Sequence, residues 1–170
     1  VVGSQSIGLG AMLISQGLQE CIVCGGAEEN NMYGIASFDG IQAFSIRENE
    51  PEKASRPFDA GRDGLVPSGG GATVILESYE HAVKRGAKII AEIVGWGFSG
   101  NGDHISTPNV AGPARSLELC LRNGGIDPKQ IGYINAHATS TVIGDQREAQ
   151  AIAQIFGERA VPVTSTKSQT

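Results

Sequence analysis

Residues 134–145 read Ile-Asn-Ala-His-Ala-Thr-Ser-Thr-Val-Ile-Gly-Asp, and residues 164–170 read Thr-Ser-Thr-Lys-Ser-Gln-Thr. An apolar run at 131–136 predicts a buried strand that ends at His137. A strand end gives an imidazole a rigid support and an exit into a pocket. Thr139 and Thr141 follow at alternate positions, so in extended backbone their side chains point the same way. A second short strand, predicted at 161–164, runs into a hydroxyl-rich turn that carries Lys167. Between the two, 145–156 reads as an amphipathic helix with Ala149, Ile152, Ala153 and Phe156 on one face. Asp145 reads as its N-cap. Taken singly, each residue also has an ordinary reading. A lone His at a strand end is more often a packed polar residue, and Thr favours strands and turns. A lone Lys is usually a surface residue, and Glu148 could be a solvated helix position.

Upstream, strand and helix signals alternate, which argues an α/β layered fold. Residues 3–18 carry no charge and read as a helix with protein on all sides, with Gly17 near its end. A central strand is expected at 21–25, a short helix or irregular segment at 32–44, and a long loop at 45–67. Residues 72–77 are strand-like, and 80–85 are helical up to Gly86. The β-branched stretch 89–98 predicts another strand, and 101–111 a polar loop. Pro113 near a start, then 116–121, and Gly124-Gly125 as a stop, make a further helix. Asp127-Pro128 turns the chain. No internal repeat, low-complexity segment or linker is visible.

Composition excludes several classes. The 13 basic and 18 acidic residues give a net charge of −5, and the basic residues are scattered, which argues against nucleic acid. No apolar run approaches the ~20 residues of a membrane span. No signal peptide is visible. The 3 Cys cannot build a disulfide framework, so a cytoplasmic protein is expected. Cys21 and Cys24 fall within a strand-like run and face opposite sides, which reads as buried apolar Cys rather than a redox pair. No ligand set for a metal is evident. Gly69-Gly70-Gly71 leads into a strand and not a helix, so it is no phosphate cradle.

The His-x-Thr-Ser-Thr run with Gly-Asp a few residues on, and the Thr-Ser-Thr-Lys-x-x-Thr run, resemble two catalytic segments of the β-ketoacyl-acyl-carrier-protein synthases. Residues 56–64, Arg-Pro-Phe-Asp-Ala-Gly-Arg-Asp-Gly, resemble a third segment of that family. Two positions depart from the family pattern: Val142 replaces a usual Pro, and Leu65 a usual Phe. The resemblance implies a thiolase-like layered α/β/α/β/α fold, present in part. Residues 1–78 would end the first half and 79–170 would begin the second.

The resemblance also implies the chemistry, a decarboxylating Claisen condensation of an acyl thioester with malonyl-acyl-carrier protein. It implies His137, Lys167 and Glu148 as catalytic residues, with Glu148 the partner of Lys167. Thr139 and Thr141 would bind the amides of the phosphopantetheine arm. Phe38 would line the acyl pocket, and His104 and Thr107 the pocket mouth. No metal or dissociable cofactor is implied, because phosphopantetheine arrives on the acyl carrier protein. A homodimer is expected. The nucleophilic Cys is expected just before Val1 and a second His just after Thr170, as in the middle portion of a longer synthase. Alternatives are a polyketide or aryl-polyene ketosynthase, and a non-catalytic partner subunit resembling a chain-length factor.

Overall fold

Uncharged small residues at 3–10 let the first helix come close to a sheet. In a computed structural model, which describes residues 2–104 and 106–169, this helix is α1, Val2–Ser15. It lies on β1 (Cys21–Glu28), which pairs antiparallel with β2 (Gly70–Glu77) in the register Cys21↔Glu77 to Glu28↔Gly70. The Ser6 hydroxyl bonds both the amide and the carbonyl of Gly25, at 3.0 and 2.8 Å. Gly10 allows the close approach, because a Cβ there would stand 2.5 Å from Cys24 Sγ and force it to shift. The helix ends where Gly17 turns to φ +70. Only Gly8 and Gly10 of α1 are buried, while Leu9 and Met12 stay exposed. The expected wrapping of this helix on all sides is therefore not supplied by the described residues, which leave Leu9 and Met12 uncovered. Cys24 is buried as expected, whereas Cys21 is exposed at the opposite side of the strand.

Helix α2 (Met32–Gly40) starts at Asn31, whose side chain caps the Tyr33 and Gly34 amides at 3.0 Å each. The long loop then returns through a parallel bridge between Phe44 and Leu65. Helix α3 (Tyr79–Lys84) is capped by Ser78, and Gly86 at φ +70 terminates its turn. The strand expected at 89–98 does not form. Among the described residues the segment has no ladder partner, and it runs instead between two helices. It passes α1 at Gly8 and α4 (Ala111–Gly124) at Gly97, where a Cβ would stand 2.1 Å from the Ser116 carbonyl oxygen. Helix α4 stops at Gly125 with φ +62, as the Gly-Gly pair predicted.

The second sheet positions the chemistry. Strand β3 (Ile134–Asn135) pairs parallel with β4 (Val163–Thr164), and helix α5 (Val142–Phe156) crosses over between them. Flanking bonds extend the pairing, with the Ile134 amide donating to Pro162 at 2.9 Å and the Ala136 amide to Thr164 at 2.7 Å. Beneath lies a core of Ala136, Ala138, Ile152 and Val161, with Leu117, Phe58 and Phe156 packed on it. Truncating Ile152 in such a place costs about 2–5 kcal/mol. The buried face of α5 is Asp145, Ala151 and Ile152, so Ala149, expected inward, is exposed. Helix α5 begins three residues before the expected start. Thr141 is its N-cap residue, and Asp145 lies inside the first turn rather than capping it.

Candidate active site

His137 leaves β3 at the point where the strand meets the first turn of α5. Its backbone is fixed by one carboxylate: Glu148 accepts the His137 amide at 2.8 Å and the Ala138 amide at 2.7 Å. These are charge-assisted bonds, among the strong ones in proteins. Glu148 lies one turn along α5 from Asp145, so the helix itself aims the carboxylate at the strand end. Burial pushes the His137 imidazole below its ordinary pKa of 6.5, and the Lys167 charge pushes in the same direction. Glu148 opposes both. The residue still reaches solvent. A ring of this kind is neutral at pH 7 and presents an N–H donor.

Thr139 and Thr141 stand side by side, with their hydroxyl oxygens 3.3 Å apart, although the backbone between them is not extended, since Ser140 takes a positive φ. Gly144 makes room for them: a Cβ on it would stand 2.3 Å from Thr141 Oγ1. Between the two, Ser140 is fully buried and adopts φ +72. Lys167 sits in a 3-10 turn, Thr166–Ser168, capped by Ser165, whose hydroxyl donates to the Ala138 carbonyl at 3.0 Å. The turn of Lys167 is thereby tied to the segment of His137. No ion pair joins Lys167 to Glu148 among the described residues, because the Glu148 carboxylate is engaged by the two amides. The expected pairing of these two charges is thus replaced by a pairing of one charge with backbone.

Residues 55–62 complete the arrangement, although sequence reading had placed no site residue there. The Ser55 hydroxyl donates to the Lys167 carbonyl at 2.6 Å. The Arg56 amide donates to Ser140 Oγ at 3.0 Å, and the Phe58 amide to Asp145 Oδ2 at 2.8 Å. Arg62 lies 3.6 Å from the same buried carboxylate. The signal that could have found this segment was the family-like run 56–64 itself. Among the described residues, no hydrogen bond or ring contact links the side chains of Phe38, His104 or Thr107 to this cluster. Phe38 pairs with Phe44 at a ring distance of 6.3 Å. His104 Nδ1 accepts the Ser106 amide at 3.2 Å and lies 3.4 Å from Thr107 Oγ1, so these two form a loop cluster of their own. Among the described residues, no group of three or more His, Cys, Asp or Glu could hold a metal ion.

The family model of the β-ketoacyl synthase N-terminal domain matches residues 3–82, and that of the C-terminal domain matches residues 90–170. The chain belongs to the β-ketoacyl synthase family. It is 45% identical to 3-oxoacyl-[acyl-carrier-protein] synthase 2 of Vibrio cholerae, over 99% of this chain and 42% of that protein. The crystal structure of a β-ketoacyl synthase from Burkholderia phymatum superposes with a TM-score of 0.94 at 48% identity, covering 97% of this chain and 40% of that one. A ketosynthase solved with its type II polyketide acyl-carrier protein and a bound hexaketide superposes at 0.92 with 36% identity, over 99% of this chain and 43% of that one. The chain therefore has the thiolase-like α/β fold of the ketosynthases, and it spans about two-fifths of the length of these relatives. No helix among the described residues is long and apolar enough to cross a membrane.

Proposed function

We propose that the protein carrying this chain is a 3-oxoacyl-acyl-carrier-protein synthase of fatty-acid elongation. It joins an acyl thioester to malonyl-acyl-carrier protein with loss of carbon dioxide. In this reading residues 1–78 close the first half of the fold and 79–170 open the second. The protein works as a cytoplasmic homodimer that receives both substrates from an acyl carrier protein. It needs no metal or dissociable cofactor. The thiol nucleophile and a second imidazole belong to parts outside these 170 residues. The fatty-acid reading is favoured over a polyketide one because the identity to 3-oxoacyl-[acyl-carrier-protein] synthase 2 of Vibrio cholerae, 45%, exceeds that to the polyketide ketosynthase, 36%.

The observation that carries the reading is His137, an imidazole at a strand end whose backbone is locked by Glu148 and whose pKa is pushed down by burial. Decarboxylation breaks the bond between the malonyl carboxyl carbon and its α-carbon. The electron pair moves toward the thioester oxygen as an enolate. A preorganised N–H donor aimed at that oxygen contributes roughly 3–4 kcal/mol of transition-state stabilisation. The enolate carbon then attacks the acyl thioester, and the enzyme thiolate leaves. Lys167 supplies positive charge to the centre. Thr139 and Thr141 take the amides of the carrier arm.

The test is His137→Ala in a full-length synthase carrying this chain. Malonyl decarboxylation is expected to vanish while acyl transfer to the nucleophile persists. Decarboxylation at the wild-type rate in that variant would overturn the assignment.

A further inference from the structure

Residues 55–62 run across the site as a strap, and Arg62 makes more of its contacts than any other residue. Arg62 Nε donates to the Thr141 carbonyl at 3.0 Å, and Nη2 donates to the Val142 carbonyl at 2.6 Å. Nη1 is held within the strap by the Asp59 carbonyl at 2.9 Å. Behind Nε stands the fully buried Asp145, 3.6 Å away, which also anchors the strap through the Phe58 amide. On the other flank of Thr141, Ser140 accepts the Arg56 amide and keeps a positive φ that a residue with a Cβ holds only when its surroundings impose it.

The strap therefore holds the two peptide carbonyls that follow the Thr141 side chain, those of Thr141 and Val142, and the Ser140 hydroxyl that precedes it. The Thr141 hydroxyl is set beside that of Thr139, while Gly144 leaves the space it occupies. Among the described residues the strap bonds to neither threonine hydroxyl, so whatever it does for them it does through the backbone. The planar guanidinium suits this task. It holds two successive carbonyls and faces a carboxylate at once, which an ammonium cannot do in the same geometry.

We infer that Arg62 is a positioning residue for substrate binding, fixing the Thr139–Thr141 hydroxyl pair for the amides of the thioester arm. This rests on the proposed function only in that the ligand of the pair is an amide-bearing thioester. The test compares two malonyl thioesters in the full-length synthase: malonyl-pantetheine, which carries amides, and malonyl ethyl thioester, which has none. Arg62→Lys is expected to raise KM for malonyl-pantetheine about tenfold, the scale of one well-placed hydrogen bond. The value of kcat should hold within about twofold, and KM for the ethyl thioester should not move. In a Thr141→Ala background, Arg62→Lys should add little further to KM, because the two act in series.

Where Arg62→Lys does not fold, Ser140→Gly takes its place. It keeps the positive φ, removes the acceptor of the Arg56 amide, and is expected to give the same split. A fall in kcat shared equally by both thioesters would overturn the inference and mark a merely structural strap. So would an unchanged KM, or a full Arg62→Lys effect in the absence of the Thr141 hydroxyl. Wild-type protein that decarboxylates neither thioester would overturn the proposed function and this inference with it.

Discussion

Glu148→Ala is the perturbation whose size follows most directly from the geometry. The carboxylate satisfies two backbone amides, of His137 at 2.8 Å and Ala138 at 2.7 Å. The two losses differ. His137 is exposed, so water replaces the missing acceptor and the cost is about 1 kcal/mol. Ala138 is 1% exposed, so its amide is left without a partner at a cost of about 1–3 kcal/mol. The total is about 2–4 kcal/mol, against the ±0.5 kcal/mol typical of a solvated helix position. Urea unfolding of the full-length protein measures the sum, and amide hydrogen exchange at His137 and Ala138 locates it. Glu148→Gln should recover only part, because one amide then faces an NH2 group. Glu148→Ala and Lys167→Ala should add within about 0.5 kcal/mol in a double-mutant cycle, since the carboxylate is committed to the backbone. A Glu148→Ala cost below about 0.5 kcal/mol with unchanged exchange would refute this reasoning.

Gly144→Ala pushes a methyl group to within 2.3 Å of Thr141 Oγ1; the hydroxyl should rotate away from Thr139, raising KM for a pantetheine thioester while the helix melts normally. An unaltered KM would show that the hydroxyl pair does not bind the arm. His137 should titrate below 6.5 by NMR, and Lys167→Met should raise its midpoint, because the lysine charge is one of the causes of the depression. With the folded-state pKa below the unfolded one, the contribution of His137 to stability is full above 6.5 and is lost as pH falls through the folded value; a His137→Gln variant should flatten that part of the stability profile. The isolated 170-residue chain exposes Val23 (68%) opposite Ile75 (63%) on the β1–β2 sheet. It should aggregate or bind a hydrophobic dye, and a dye-negative, cooperatively melting monomer would contradict this.

What was legible in the sequence was what short-range pattern controls. A short strand before His137, though only Ile134–Asn135 of the expected 131–136, the turn of Lys167 and the Gly-Gly stop of α4 follow from a few neighbouring residues. What escaped was decided at a distance. Asp145 satisfies every local rule for a cap, yet its carboxylate accepts the amide of Phe58, 87 positions away. Glu148 and Lys167 look like a natural ion pair in the sequence, and only the folded backbone reveals two amides that take the carboxylate first. The β-branched run 89–98 has the composition of a strand, but a strand also needs a neighbour with free ladder groups, and no local pattern encodes one. Ser140 carries no sequence mark of its positive φ, and its hydroxyl meets the amide of Arg56, 84 positions away.

The strap contacts join residues 79 to 112 positions apart. Loop-closure entropy must be met before such contacts reward it, so they belong to the late steps of folding. Helices α4 and α5 and the short parallel pair can form while the strap is still loose, giving a species with most of its secondary structure and no fixed Thr141. Refolding followed by far-UV circular dichroism would therefore run ahead of the recovery of substrate binding. A cell making this protein would hold, for that interval, a chain that looks folded to a spectrometer while the backbone around Thr141 is still free.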